Sequence, residues 1–120
     1  MHNIIKATIF ALIFTLAAPA AAQDFGDGRK AYERGDYAAA LREWLPLAEQ
    51  GNAQAQHELG FMYLQGRGVA RDDIQDHMWW SLAASQGNEA STLARKLVAA
   101  FMTPAQIAEA QKLAREWQPK

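Results

Sequence analysis

Between Ala53 and Leu64 the apolar residues Ala55, Leu59, Met62 and Tyr63 recur at three- and four-residue steps. That spacing predicts one amphipathic helix. Gly60 interrupts the stripe, where glycine costs about 1 kcal/mol against alanine, so its position predicts close approach of a neighbouring helix. Ile74, Met78, Leu82 and Ala83 repeat the pattern over 74–86, with Trp79 and Trp80 widening the face. Gly87 suits a left-handed helix end, and Asn88 can cap the helix that follows. Upstream, the pattern predicts a short helix near Gly28–Arg34, a break at Gly35-Asp36 and a helix over Tyr37–Gln50. Pro46 lies inside that last helix and should remove one backbone hydrogen bond and bend it. Near the C-terminus, Thr103, Pro104 and Gln106 read as a capping box with proline at the first helical position. Ile107, Ala110, Leu113, Ala114 and Trp117 then form a stripe to bury, with Glu109, Lys112 and Glu116 outside.

The elements repeat. At an offset of 36 residues, Asp36 falls on Asp72, Trp44 on Trp80, Ala48 on Ala84, Gln50 on Gln86, Gly51 on Gly87 and Asn52 on Asn88. Matches at tryptophan and glycine make chance a poor explanation. A period of this length without β-branched runs predicts a stacked two-helix unit. The last helix, with its polar outer face, has the form of a terminal cap for such an array.

Composition changes the picture mainly at the N-terminus. Lys6, the twelve-residue apolar run Ala7–Ala18, Pro19 and Ala20-Ala21-Ala22 form a secretory signal peptide of bacterial type, with cleavage expected after Ala22. The alternative is an uncleaved anchor, but a span needs about 20 apolar residues. The expected destination is periplasmic or secreted, with no stable membrane insertion once the signal is gone. The remaining 98 residues make one small domain with 11 basic and 13 acidic side chains, a net charge of −2. That balance gives no electrostatic footprint for nucleic acid. The chain has no cysteine, so neither a lipidated cysteine nor a disulfide framework is available.

The stretch Ala53–Ser91 carries Ala55, Leu59, Gly60, Tyr63, Gly66, Gly68, Val69, Asp72, Trp79, Ala83, Ala84 and Gly87. In this pattern it resembles a Sel-one-like repeat, the bacterial relative of the tetratricopeptide repeat. The resemblance covers nearly all of the mature chain: a degenerate unit at 28–51, the best-matching repeat at 52–87 and a terminal helical pair at 88–118. It implies an all-α fold, a short right-handed α-α superhelix of about three antiparallel helix pairs. The family is mainly associated with protein–protein interaction in envelope or host-interaction settings. One position departs from the pattern. The family usually has alanine where this chain has Asp76, and a buried unpaired carboxylate is costly. Asp76 should therefore rotate outward or find a partner, with Arg71 and His77 the nearest in sequence.

Motifs for chemistry fail one by one. Gly66-Arg67-Gly68 lacks the Lys-Ser/Thr pair and the preceding strand of a phosphate loop. Asp72, Asp73 and Asp76 lack the glycine and terminal glutamate of a calcium loop, and Asp72 reads better as a helix N-cap, with Asp73 favourably placed near the helix dipole. His57-Glu58 is followed by Phe61 where a zinc protease motif needs histidine. Ser81, Ser85 and Ser91 have no lysine three residues on, as a penicillin-binding nucleophile would. No cofactor motif is present. Trp79-Trp80 is a carbohydrate platform or, better, core packing, with Trp79 the more exposed of the two. The expectation is a non-catalytic binding or scaffold module for a protein or peptide partner, contacted through Gln54, His57, Phe61, Arg95 and Lys96 on a concave face. Phe61 is the expected anchor. The alternative is an envelope enzyme or accessory subunit acting on cell-wall material.

Overall fold

The computed structural model describes residues 20–120, with side chains described from Asp24 onward. The signal-peptide reading falls on residues 1–22, of which 1–19 lie outside the described residues. Six α-helices and no strand are found among the described residues. They are α1 (Ala20–Glu33), α2 (Tyr37–Glu49), α3 (Ala53–Gln65), α4 (Asp73–Ser85), α5 (Glu89–Ala99) and α6 (Pro104–Glu116). Each packs on the next as far as α5, and α6 returns to α4. The all-helical expectation holds.

Helix boundaries follow from local chemistry. Asp36 Oδ1 accepts from the Ala39 amide and Asn52 Oδ1 from Ala55. Asp72 Oδ1 accepts from both Ile74 and Gln75, and Asn88 Oδ1 from Ser91. Each bond satisfies an amide that the helix start would leave unpaired. Thr103 and Gln106 close the expected capping box, with Pro104 in the first turn. The C-terminal turns match as well. The Asn52 amide donates to the Leu47 carbonyl at 2.9 Å, and the Asn88 amide to the Ala83 carbonyl at 3.1 Å. The intervening Gly51 and Gly87 have φ of 102° and 93°. Every one of these pairs is separated by 36 residues, so the sequence period is also a period of backbone geometry.

α1 begins earlier than the sequence pattern predicts. The predicted start lies near Gly28, yet the helix already runs through Gly26. The reason is tertiary. Phe25 is buried and stacks on Trp44, with ring centroids 5.5 Å apart. The Trp44 indole Nε1 donates to the Phe25 carbonyl at 3.0 Å. A Cβ on Gly28 would sit 2.3 Å from that nitrogen. The same lock recurs one unit later. Trp80 Nε1 donates to the His57 carbonyl at 3.0 Å, and a Cβ on Gly60 would sit 2.1 Å from it. In both units the glycine follows the accepting residue by three positions, so the indole lies across a bare turn of helix. This is the close approach that Gly60 predicts.

From Gly28 to Trp44 is 16 residues and from Gly60 to Trp80 is 20. The extra four belong to the connector between α3 and α4, which packs back on the first unit. The Arg67 guanidinium lies 5.7 Å from the Tyr32 ring centroid and 5.1 Å from that of Tyr37. Its Nη1 donates to the Tyr32 hydroxyl at 2.8 Å, and that hydroxyl donates to Gln65 Oε1 at 3.0 Å. Gly68 has φ 74°, and a Cβ there would approach the Tyr37 carbonyl oxygen to 2.9 Å. Val69 tucks against the core. Arginine and glycine in this loop therefore fasten one unit to the next.

Two apolar clusters hold the helices. The first joins Phe25, Trp44, Leu47, Leu59, Met62, Met78, Trp79 and Leu82, closed by Leu113 and Trp117 from the C-terminal end. The second joins Trp80, Val98, Met102 and Ala110, with Phe61, Leu64, Ile74, Ala94 and Ile107 around them. α4 lies between the two. Trp79 faces one cluster and Trp80 the other, and both are buried. The core-packing reading of the pair holds, but the expected exposure of Trp79 does not, because α3, α5 and α6 all pack on α4. Five consecutive α4 residues, Asp76 to Trp80, are buried.

Candidate functional site

The predicted partner-binding residues divide between three environments. Gln54 is exposed in the first turn of α3. His57 and Phe61, one turn apart, enter the seam between α3 and α5. His57 Nδ1 and Ser91 Oγ share a hydrogen bond of 2.6 Å. The His57 ring meets Phe61 edge-on at 5.0 Å, and Phe61 meets Trp80 edge-on at 5.1 Å. Phe61 is thus half-buried in the second cluster, and its ring supports α4 as much as it offers a surface. Arg95 is half-buried towards α4, near enough to His77 to hold that imidazole, already pushed down by burial, further below its ordinary value. Lys96 is exposed on α5. The His57 and Phe61 rings are in contact with each other.

The His57–Ser91 pair has the atoms of a nucleophile and base without the access. Ser91 is fully buried, and burial lowers the His57 pKa, keeping the ring neutral. The bond straps α3 to α5. A second strap joins α2, α3 and the end of α4: Gln56 Nε2 donates to the Ala48 carbonyl at 3.1 Å, and Gln86 Nε2 donates to Gln56 Oε1 at 2.9 Å. These polar side chains are satisfied by the fold they join.

Asp76 is not satisfied. It is 0 % exposed, and neither oxygen of the ionised carboxylate accepts a hydrogen bond. Neither resolution expected from sequence occurs. It does not rotate outward, because α4 has no free face at this turn. Arg71 lies closer to Asp73, at 3.4 Å, and His77 Nδ1 is near Ser81 Oγ at 3.3 Å. Burial first, then the charge of Asp73 and a side-chain hydrogen bond to it, which the protonated Asp76 carboxyl donates, and then the charge of Asp72 push the Asp76 pKa up to about 8, with Arg71 opposing. The carboxyl is neutral at pH 7.

The surface feature that the sequence reading passes over lies on α5 and the turn that follows it. Leu93, Leu97 and Phe101 are 60 %, 62 % and 84 % exposed. Leu97 and Phe101 form, with Leu64, Ala94, Val98 and Arg71, the walls of a hollow of about 140 Å³ between α3 and α5. The signal was present in the pattern. Leu93, Leu97 and Phe101 are spaced by four, and so are Ala94, Val98 and Met102 beside them. One helix with two adjacent apolar stripes has more apolar surface than one core contact uses. On the opposite flank, carboxylate oxygens of Asp24, Asp27 and Glu43 lie within 4.8 Å of one another. Lys30 and Arg34 line the hollow that Asp27 and Glu43 share. No described helix is long and apolar enough to cross a membrane.

The chain matches no family model and no curated protein.

Proposed function

We propose that this chain is a Sel-one-like helical-repeat module of the bacterial envelope, exported by its N-terminal signal, that binds a protein partner without catalysing a reaction. The repeat reading is supported by the caps, glycine turns and glycine–tryptophan locks that recur through α1–α5. Stacked units of this kind bury their faces on neighbours and form a short superhelix of about three helix pairs. The observation that carries the binding reading is the run of large apolar side chains left in water on α5 and the turn after it. Contiguous exposed apolar surface of this kind marks contact sites on proteins that otherwise bury it. The enzyme alternative draws no support from the His57–Ser91 pair, whose hydroxyl a substrate cannot reach.

The test is partner capture from periplasmic extract with the wild-type chain and with Leu97→Glu and Phe61→Ala variants. A partner retained by wild type and lost with Leu97→Glu supports the reading. Equal recovery with all three removes both the α5 face and the α3–α5 seam from the site.

A further inference from the structure

We infer that the groove between the C-terminal ends of α2 and α4 is a seat for an extended peptide, filled in this structure by the chain's own Trp117–Lys120 segment. A partner protein with a large aromatic residue, a proline two positions on and then a basic residue takes the segment's place. The seat is separate from the α5 stripe. It borders the first apolar cluster, under a hollow of about 410 Å³. Gln50 and Gly51 at the end of α2 and Ser85 and Gln86 at the end of α4 form one side, and Trp117 and Pro119 the other. Gln50 and Gln86 are one 36-residue period apart, so the hollow lies between equivalent ends of two units.

The contacts of the segment define the occupant. α6 ends at Glu116, and Trp117 turns to φ −67° and ψ 138°, a polyproline conformation. Pro119 keeps Gln118 extended, since the residue before a proline is disfavoured in the helical region. The half-buried Trp117 ring packs on the first cluster, its edge 3.9 Å from where a Cβ on Gly51 would stand. Pro119 lines the hollow and has no amide to satisfy. The Lys120 amide then donates at 2.8 Å to the Glu49 carbonyl, which the end of α2 leaves without a helical donor. The Lys120 ammonium lies 3.6 Å from the Glu49 carboxylate. Aromatic ring, proline, backbone amide and charge are thus each met by a separate feature of the groove. Grooves that take proline-containing extended peptides recognise them in this way.

The same contacts make the segment exchangeable. Ala110 and Leu113 hold α6 on the two clusters without help from the residues that follow it. Gln118, Pro119 and Lys120 are exposed. The Lys120 side chain is 76 % exposed in its pair with Glu49, and such a pair is worth little. Release of the segment breaks one hydrogen bond and one weak ion pair, uncovers the aromatic seat and unfolds no helix. No ionisable side chain lines the hollow. Glu49 therefore selects the incoming charge, and it loses its own partner when the segment leaves. While seated, the segment competes at the high effective concentration of a tethered ligand and keeps poorly matched chains out.

Titrating the isotope-labelled full chain with the end-capped peptide Glu-Trp-Gln-Pro-Lys, read by amide chemical shifts, tests this. Trp117→Ala empties the aromatic seat. Lys120→Glu sets the end of the segment against Glu49 at an exposed position, and carries the test alone if thermal melts show Trp117→Ala unfolded. The expected result is saturable shifts at the Gln50, Gly51, Ser85 and Gln86 amides, with affinity roughly five-fold or more higher in each variant than in wild type. Alanine in place of the peptide's tryptophan should abolish binding. Adding Glu49→Lys to Trp117→Ala should weaken the peptide several-fold, and a peptide ending in glutamate should recover it. Equal affinity for wild type and the variants overturns the displacement. Shifts confined to other surfaces, or no binding to a folded variant, overturn the seat. A peptide indifferent to Glu49→Lys overturns the basic residue of the partner. Leu97→Glu should leave this peptide unaffected, so failure here does not touch the α5 face, which the capture experiment tests separately.

Discussion

Replacing Asp76 with alanine should stabilise this protein at neutral pH. Most core substitutions destabilise, so the direction is diagnostic. The Asp76 carboxyl is fully buried with no donor to its oxygens, and its pKa is pushed from the ordinary 3.8 up to about 8. Below pH 4 the group is protonated in both folded and unfolded chains and contributes nothing to the pH dependence. Between about pH 4 and pH 8 the unfolded chain releases the proton while the folded chain keeps it. Folding then requires proton uptake, and stability falls as pH rises, by up to about 1.4 kcal/mol per unit. Above about pH 8 the loss is complete and the curve is level. At pH 7 the difference amounts to roughly 4 kcal/mol as an upper bound. The methyl group of alanine gives back part of this through lost packing, leaving a net gain of roughly 2–3 kcal/mol.

Urea denaturation of wild type and Asp76→Ala at intervals from pH 4.5 to pH 9 measures this directly. The difference between the two curves isolates Asp76. Other groups contribute to both proteins: burial raises the Glu58 pKa and lowers those of His57 and His77. The expected difference is small near pH 4.5, grows with pH and levels off above about pH 8. Parallel curves, or a variant less stable than wild type at pH 7, would refute the assignment of a buried, protonated carboxyl. A parallel curve with a stability loss would mean that Asp76 finds a partner in solution.

The remaining predictions concern packing. Gly60→Ala and Gly28→Ala should each cost roughly 1–3 kcal/mol by thermal or chemical denaturation, although alanine is the better helix former. Each methyl meets the indole of its own tryptophan; equal stability to wild type in either variant would remove that lock. Gly68→Val should lose roughly 2–3 kcal/mol, since a β-branched side chain is forced into a left-handed backbone against the Tyr37 carbonyl. Gly87→Ala, where a Cβ meets nothing within 4 Å, should cost only the backbone strain of about 1 kcal/mol. Arg67→Ala should lower the melting temperature by removing the Tyr32 hydrogen bond and the two ring contacts; an unchanged melting temperature would show the connector to be idle.

Much of the architecture is written in short-range signals. N-caps at Asp36, Asn52, Asp72, Asn88 and Thr103, and the glycine turns after α2 and α4, are decided by neighbours within one helical turn. Such features can be read from a single sequence, and the 36-residue match doubles each reading. What escapes is what depends on distant residues. Gly26 and Gly28 argue locally for a break, and only Trp44, lying across the helix, turns Gly28 into an interior position. Trp79 and Asp76 each look able to face water because periodicity gives one buried face per helix. α4 has neighbours on several sides, so the rule fails there for both. The apolar stripe after Ser91 was missed for a related reason. Phe61 stands out as an aromatic in a helix face, but Trp80 and His57 claim its ring, while Leu97 and Phe101 look like ordinary core residues and are not.

The exposed stripe on α5 is not simply the unfinished end of an array. An array that ends needs a polar outer surface, and α6 supplies one, with Glu109, Lys112 and Glu116 exposed and Ala110 buried against the second cluster. α6 closes onto α4, however, and α5 keeps its own second face. That face could have been polar at no cost to the core, since Val98 and Met102 already hold α5 in place. Leucine at 93 and 97 and phenylalanine at 101 contribute little to the folded monomer from their exposed positions. Substituting Leu93→Gln, Leu97→Gln and Phe101→Ser together should therefore leave monomer stability within about 1 kcal/mol of wild type, while abolishing whatever the face binds. A large loss of stability in that triple variant would place the three side chains in the core after all and remove the physical basis for a docking surface.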